Sequence, residues 1–136
     1  MILPDSNIFI DYWDRKDSGI GKVFEQEEIA VCGVVIAEVL HGCRSERSLK
    51  GKSENFRELP LLEVRGDEWL AFGEMLQTLR KNGLTVPFQD ALIAFIGMLY
   101  DIPVWTRDAH FSLISKCFPS LRLYDPSKIL GKTYTR

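Results

Sequence analysis

The chain has 136 residues and a mass of 15.6 kDa, with 46% hydrophobic and 26% charged residues. A chain of this size buries roughly two-thirds of its unfolded surface around one core, and this balance excludes disorder, collagen-like repeats and a disulfide scaffold. A formal charge of -2 and a pI near 5.7 exclude a protein that coats nucleic acid by bulk charge, so any such contact has to come from a local patch.

In chain order, residues 1–4 form a short apolar run ended by Asp5, Ser6 and Asn7, three helix-capping residues, after which Ile8, Phe9, Tyr12 and Trp13 recur at helical spacing. Pro4 has no N–H to give to a sheet, so the first strand is expected to stop pairing there. A second helix is predicted over 18–27, a buried strand over 29–32, and a helix over 34–41 ended by Gly42. Residues 45–59 are charged and helical in pattern, 61–64 read as a third strand, and 68–82 as an amphipathic helix between an Asp67 cap and a Gly83 stop. An apolar helix over 88–100, a strand over 103–106, a short helix over 109–116 and a strand over 121–124 complete the alternation. Five short apolar strands separated by helices predict an α/β sandwich with a mostly parallel sheet, and without repeats or a linker 1–136 reads as a single domain.

Cys32, Cys43 and Cys117 form no C-x-x-C pair, and His41 and His110 are the two histidines, which speaks against zinc and predicts small buried thiols in a reducing compartment. There is no basic n-region, and the longest apolar runs, 29–37 and 91–100, are about half the ~20 residues of a membrane helix. The expectation is a cytoplasmic chain that spans no membrane.

The acids then fall in an ordered way on this scheme. Asp5 follows the first strand, Glu38 lies in the helix after the second, and Asp108 follows the fourth. Asp90 sits in the first turn of the helix leading into the fourth strand, at the same sheet edge, and open parallel sheets bind ligands beyond the carboxyl ends of their strands. Asp5 and Asp108 are also what a helix cap requires, and Asp90 suits a helix dipole whatever its role. Glu38 is harder to account for, because Val34, Val35 and Val39 put it on or beside an apolar face where an unpaired charge is expensive. Four carboxylates converging in this way repel one another and suit a hard divalent cation, Mg²⁺ or Mn²⁺, whose chemistry points to phosphodiester hydrolysis.

These residues resemble the PIN-domain ribonucleases, and within them the VapC toxins of toxin-antitoxin pairs. Asp5-Ser6-Asn7-Ile8-Phe9-Ile10-Asp11 resembles the opening D-[TS]-[NS]-x-x-[IL]-D, and Ala37-Glu38-Val39-Leu40-His41-Gly42 is similar to the [SA]-E-x-x-x-G helix. Asp90-Ala91-Leu92-Ile93-Ala94 resembles D-x-x-I-A, and Thr106-Arg107-Asp108-Ala109-His110-Phe111 resembles T-x-[DN]-x-x-F. The resemblance implies a PIN-like three-layer α/β/α sandwich with a five-stranded mostly parallel sheet. It also implies Mg²⁺- or Mn²⁺-dependent cleavage of RNA, with Asp5, Glu38, Asp90 and Asp108 as catalytic metal ligands and Ser6 assisting with water or substrate. A VapB-like antitoxin and a homodimer are the implied protein partners.

His110 stands where many relatives carry a further acid, and reads more readily as a surface histidine near a helix start. Arg44, Arg47, Lys50, Lys52 and Arg57 make 44–57 the most basic stretch, with Arg44 and Arg47 as candidate RNA phosphate contacts against the plainer reading of a solvated helix face. Trp13, Phe56, Trp69 and Phe72 read as core, some of them in reach of an antitoxin helix. A phosphoacceptor receiver domain needs an acidic pair after the first strand and a Lys after the last, and a haloacid-dehalogenase-like phosphatase needs Asp-x-Asp where this chain has Asp5-x-Asn7. The remaining alternative is a non-catalytic PIN module that binds RNA or a protein.

Overall fold

A computed structural model of the chain describes residues 1–131, so the last five residues of the expected domain lie outside the described residues. In chain order the elements are β1 (Leu3–Pro4), α1 (Ser6–Asp14), α2 (Ser18–Gln26), β2 (Val31–Cys32), α3 (Gly33–His41) and α4 (Glu46–Arg57). They continue with β3 (Leu61–Leu62), α5 (Glu68–Lys81), α6 (Phe88–Leu99), β4 (Val104–Trp105), α7 (His110–Cys117) and α8 (Ser127–Leu130). The single turn of α8 was not anticipated, because four residues hold too little pattern for a period.

Among the described residues every strand pairing is parallel. β1 pairs with β4 through Leu3↔Val104 and Pro4↔Trp105, and β2 pairs with β3 through Val31↔Leu61 and Cys32↔Leu62. Single parallel bridges, Ile2↔Ile29 and Val104↔Leu123, join the two sheets to each other and to the segment expected as the last strand. Among the described residues, regular ladders therefore cover two two-stranded sheets. β1 and β2 are short because helices begin at once where they end: Asp5 already caps α1, and Gly33 opens α3 directly after Cys32.

Pro4 does not end β1 as expected. Along one edge the donors are Leu3 and Asp5, whose N–H groups bond Pro103 O and Trp105 O, both at 2.9 Å, so pairing with β4 runs past the proline. On the other edge Ile2 donates to Glu28 O at 2.9 Å, the next donor would be residue 4, and β2 turns instead to β3 with Val31 N–H on Pro60 O. The alternation of a parallel ladder confines the loss to one side.

The strands are buried through Leu3, Val31, Cys32, Val104 and Trp105, and Cys32 is the buried thiol that was expected, whereas Cys43 and Cys117 are partly exposed. Helix α1 packs on α2 and α3, while α6 packs on α3, α5 and α7, so α3 joins the two helical groups. Phe56 and Phe72 are core residues and Trp13 packs against it, but Trp69 is 47% exposed on the outer face of α5. Asp67 occupies the N-cap position of α5 but its side chain accepts no bond, because its backbone is already helical and the Trp69 and Leu70 N–H groups bond Gly66 O and Asp67 O. Gly83 ends that helix with φ of 73°, a conformation open to glycine at no steric cost.

At Gly97 α6 comes close to the sheet, since a Cβ there would lie 2.6 Å from Val104 Cγ2 and 3.0 Å from Ile102 O. Gly97→Ala should therefore destabilise the fold by about 1–3 kcal/mol. Gly73→Ala, on the exposed face of α5 with nothing near its Cβ, should stabilise by up to about 1 kcal/mol. Chemical denaturation of both variants checks the pair, and equal effects would refute the packing argument.

Candidate metal centre

Asp5 leaves the buried strand β1 and is itself only 4% exposed. Its Oδ1 accepts the Ile8 N–H at 3.3 Å as the N-cap of α1, and its Oδ2 accepts from the Thr106 hydroxyl. Thr106 Oγ1 in turn accepts the Asp108 N–H at 2.9 Å. One hydroxyl thus ties the loop after β4 to the carboxylate after β1, which are adjacent because those two strands pair.

Burial pushes the Asp5 carboxyl up to about 6, opposed by the bonds from Thr106 and Ile8 and reinforced by the charges of Asp90 and Asp108. Burial also raises Glu38, with the charge of Asp90 adding to it and the Ser6 side chain offsetting part. Asp90 is raised by burial and by Asp108, and lowered by His110. The structure thus brings all four sequence-derived acids into one electrostatic unit with Asp90 at its centre, and Ser6 beside Glu38. The packing explains the convergence: α3 lies against both α1 and α6, so Glu38 meets the start of one and the first turn of the other.

Arg44 and Arg47 are exposed, and neither contacts the four acids among the described residues. Lys52 does not belong with them on the surface. It is 9% exposed, bonds Asp14 Oδ1 at 2.8 Å and lies 5.8 Å over the Trp13 ring, because residues 52 and 56 share the inward face of α4.

Three residues were not read from the sequence as part of this unit. Thr106 was seen only as a motif letter, although a hydroxyl directly after a strand that pairs with the strand of Asp5 is a usable signal. Arg107 reaches Asp11 Oδ2 at 2.8 Å and Asp17 Oδ2 at 3.1 Å, fastening the loop of Asp108 to α1 and to the cap of α2. His110 is not a detached surface residue: its Nδ1 lies 3.1 Å from Asp90 Oδ2 and 3.0 Å from Asp108 Oδ1, because the turn into α7 folds the ring back over the cluster.

The donor set suits a divalent cation. Among the described residues Glu38 Oε1 is buried and has no hydrogen-bond partner, an expensive state for a carboxylate oxygen that an ion would relieve. Asp90, Asp108 and His110 each present a ligand atom, all within 4.8 Å of one another.

The PIN domain family model matches residues 2–116, and the chain belongs to that family. Among individual proteins, the chain is similar to the ribonuclease VapC1 of Methanocaldococcus jannaschii, with 24% identity over 126 residues that cover 91% of this chain and 87% of the relative. Its fold is similar to that of DNA-bound VapBC from Salmonella typhimurium, with a TM-score of 0.79 and 21% identity over 93% of this chain and 99% of that one. VapBC2 from Rickettsia felis, bound to a promoter DNA fragment, gives 0.77 and 22% over 91% of this chain and 98% of that one. At these identities the structural likeness establishes the α/β PIN fold.

The raised acids set a pH dependence for the metal-free protein. Folded Asp5 takes up its proton near pH 6 and the unfolded carboxyl only near 3.8. Its stabilising contribution is therefore fully present below 3.8 and is lost as the pH rises through about 6. Glu38 and Asp90 act in the same sense, whereas Asp17, held low against its burial by the Ile20 N–H and by Arg107, loses its contribution only at more acid pH. Thermal unfolding in chelator should show the melting temperature climbing from about pH 7.5 to about pH 5, with a flatter profile for Asp5→Asn. A steady fall over that interval would contradict the assignment.

Proposed function

We propose that the chain is a metal-dependent endoribonuclease that hydrolyses RNA phosphodiester bonds, and that it is the toxin of a VapBC-type toxin-antitoxin pair. The observation that carries this reading is the coupled set Asp5, Glu38, Asp90 and Asp108 with the partnerless buried oxygen of Glu38. Those four residues would hold Mg²⁺ or Mn²⁺. Such an ion supplies positive charge that acidifies water and stabilises the charge developing on a phosphodiester.

The chain's own residues prepare the rest. Thr106 and the Ile8 amide fix the orientation of Asp5, so one carboxylate is set before anything binds. Ser6 stands beside Glu38 with a hydroxyl for water or a phosphate oxygen. Arg44 and Arg47, with exposed Lys50 and Arg57, offer RNA phosphates a positive track that follows directly from the helix of Glu38.

Support for an antitoxin partner comes from the relatives whose structures are VapBC complexes. An aromatic pocket of about 270 Å³, lined by Phe9, Tyr12, Trp13 and Phe24, is available to its apolar side chains. Support for a homodimer comes from the apolar residues left outside, with Leu70 68% and Phe88 56% exposed. We read the five parallel segments as one sheet, residues 1–136 as a single PIN domain, and the setting as the cytoplasm, where Cys32, Cys43 and Cys117 stay reduced. Among the described residues no helix is long and apolar enough to cross a membrane.

The purified chain should cut single-stranded or loop RNA when Mg²⁺ or Mn²⁺ is present and stop when a chelator is added. Asp5→Asn and Asp90→Asn should each lower the rate by about 10²-fold or more with unchanged circular dichroism, since Asn at 5 keeps the cap of α1 and Asp90, in the first turn of α6, caps nothing. Expression without an antitoxin should slow bacterial growth. RNA bound but left intact by the metal-loaded wild type would mark the non-catalytic module instead, and undiminished cleavage by either variant would remove that acid from the centre.

A further inference from the structure

Beyond the four acids, one nitrogen lies inside the cluster. His110 Nδ1 is 3.1 Å from Asp90 Oδ2 and 3.0 Å from Asp108 Oδ1, so it faces two of the acids at once. The ring is held there by its own backbone, since the His110 N–H donates to the same Asp108 Oδ1 at 2.9 Å. The side chain is 39% exposed, which leaves solvent and ions access.

Two roles fit a ring in that place: a hydrogen-bond clamp between two carboxylates, or a ligand to the ion that the carboxylates hold. The distances carry the second as well as the first. Six-coordinate ions of this class bind their ligands at about 2.1 Å, so neighbouring ligands of an octahedron stand about 3 Å apart, the separation of Nδ1 from both oxygens. Without an ion Nδ1–H donates to those oxygens, and with the hydrogen moved to Nε2 the Nδ1 lone pair is free to bind an ion that the oxygens hold. The partnerless Glu38 oxygen, within the same electrostatic unit, is an independent sign that the cluster has a charge yet to receive.

We propose that His110 is a metal ligand through Nδ1, which makes the centre a mixed nitrogen and oxygen site that selects Mn²⁺ and later first-row ions over Mg²⁺. This rests on the reading of the acids as a metal centre. Imidazole suits transition ions, whereas Mg²⁺ favours oxygen ligands and retained water, so replacing one oxygen by a nitrogen moves the preference away from Mg²⁺.

The test is pulsed EPR of Mn²⁺ on the purified full chain in nitrogen-free buffer, beside thermal unfolding and calorimetric titration with Mn²⁺ and with Mg²⁺. His41, the other histidine, is exposed at the end of α3, so histidine nitrogen coupling traces to residue 110. Wild type should show ¹⁴N modulation. His110→Asp should still bind Mn²⁺, lose the modulation, and lower the Mn²⁺ over Mg²⁺ affinity ratio on the order of tenfold. Mn²⁺ that stabilises wild type without ¹⁴N modulation, or modulation that survives in His110→Asp, would overturn the role of His110 and leave the acids standing. Failure of both ions to bind wild type would overturn the metal centre itself, and this inference with it.

Discussion

The structure turns on mutual repulsion among carboxylates that the fold does not allow to separate. Asp90 is placed so that its charge acts on both Asp5 and Glu38, while Asp108 acts on Asp90 in turn. Each is also partly removed from water, so the repulsion is only weakly screened. The arrangement persists because each acid is fastened to a different part of the scaffold. Asp5 is held by an N-cap and a threonine, Glu38 by a helix packed against α1, α4 and α6, and Asp108 by a loop that Arg107 anchors to α1.

That dependence explains features with no evident purpose of their own. The β1–β4 pairing is two residues long, yet it sets Asp5 beside Thr106 and so determines the spacing between the first and last acids. Pro4 costs one hydrogen bond on the β2 side only, leaving the edge that matters intact through the Asp5 N–H. Gly97 lets α6 approach β4 closely, and α6 carries Asp90 in its first turn. Arg107 spans Asp11 and Asp17, so the last residue of the opening motif works as an anchor for the fourth.

Much of this was legible in the sequence because it rests on chain-local signals. Apolar period and capping residues located the helices, and an acid directly after a strand has one edge of the sheet to lie on. Glu38 stood out because a charge among Val34, Val35 and Val39 demands an explanation, and its Oε1 is buried without a hydrogen-bond partner among the described residues. What escaped depended on partners distant in the chain. Thr106 meets Asp5 across 101 residues, and His110 meets Asp90 across 20. The inward turn of Lys52 depended on Asp14 and Trp13, on another helix. Strand lengths were overestimated because an apolar residue is buried equally well in a ladder and in the turn that leaves it.

The fold bears an electrostatic cost that a bound cation would relieve. Thermal unfolding of wild type and Asp90→Asn, with chelator and with Mn²⁺ at matched concentrations, tests it most directly. Without metal, Asp90→Asn should be as stable as wild type or more so, because one of the repelling charges is gone. With Mn²⁺ at 100 times its dissociation constant wild type should gain about 2.7 kcal/mol, and the variant far less. A variant that is less stable than wild type in chelator, and that gains as much from Mn²⁺, would contradict the claim, because Asp90 would then be an ordinary structural residue.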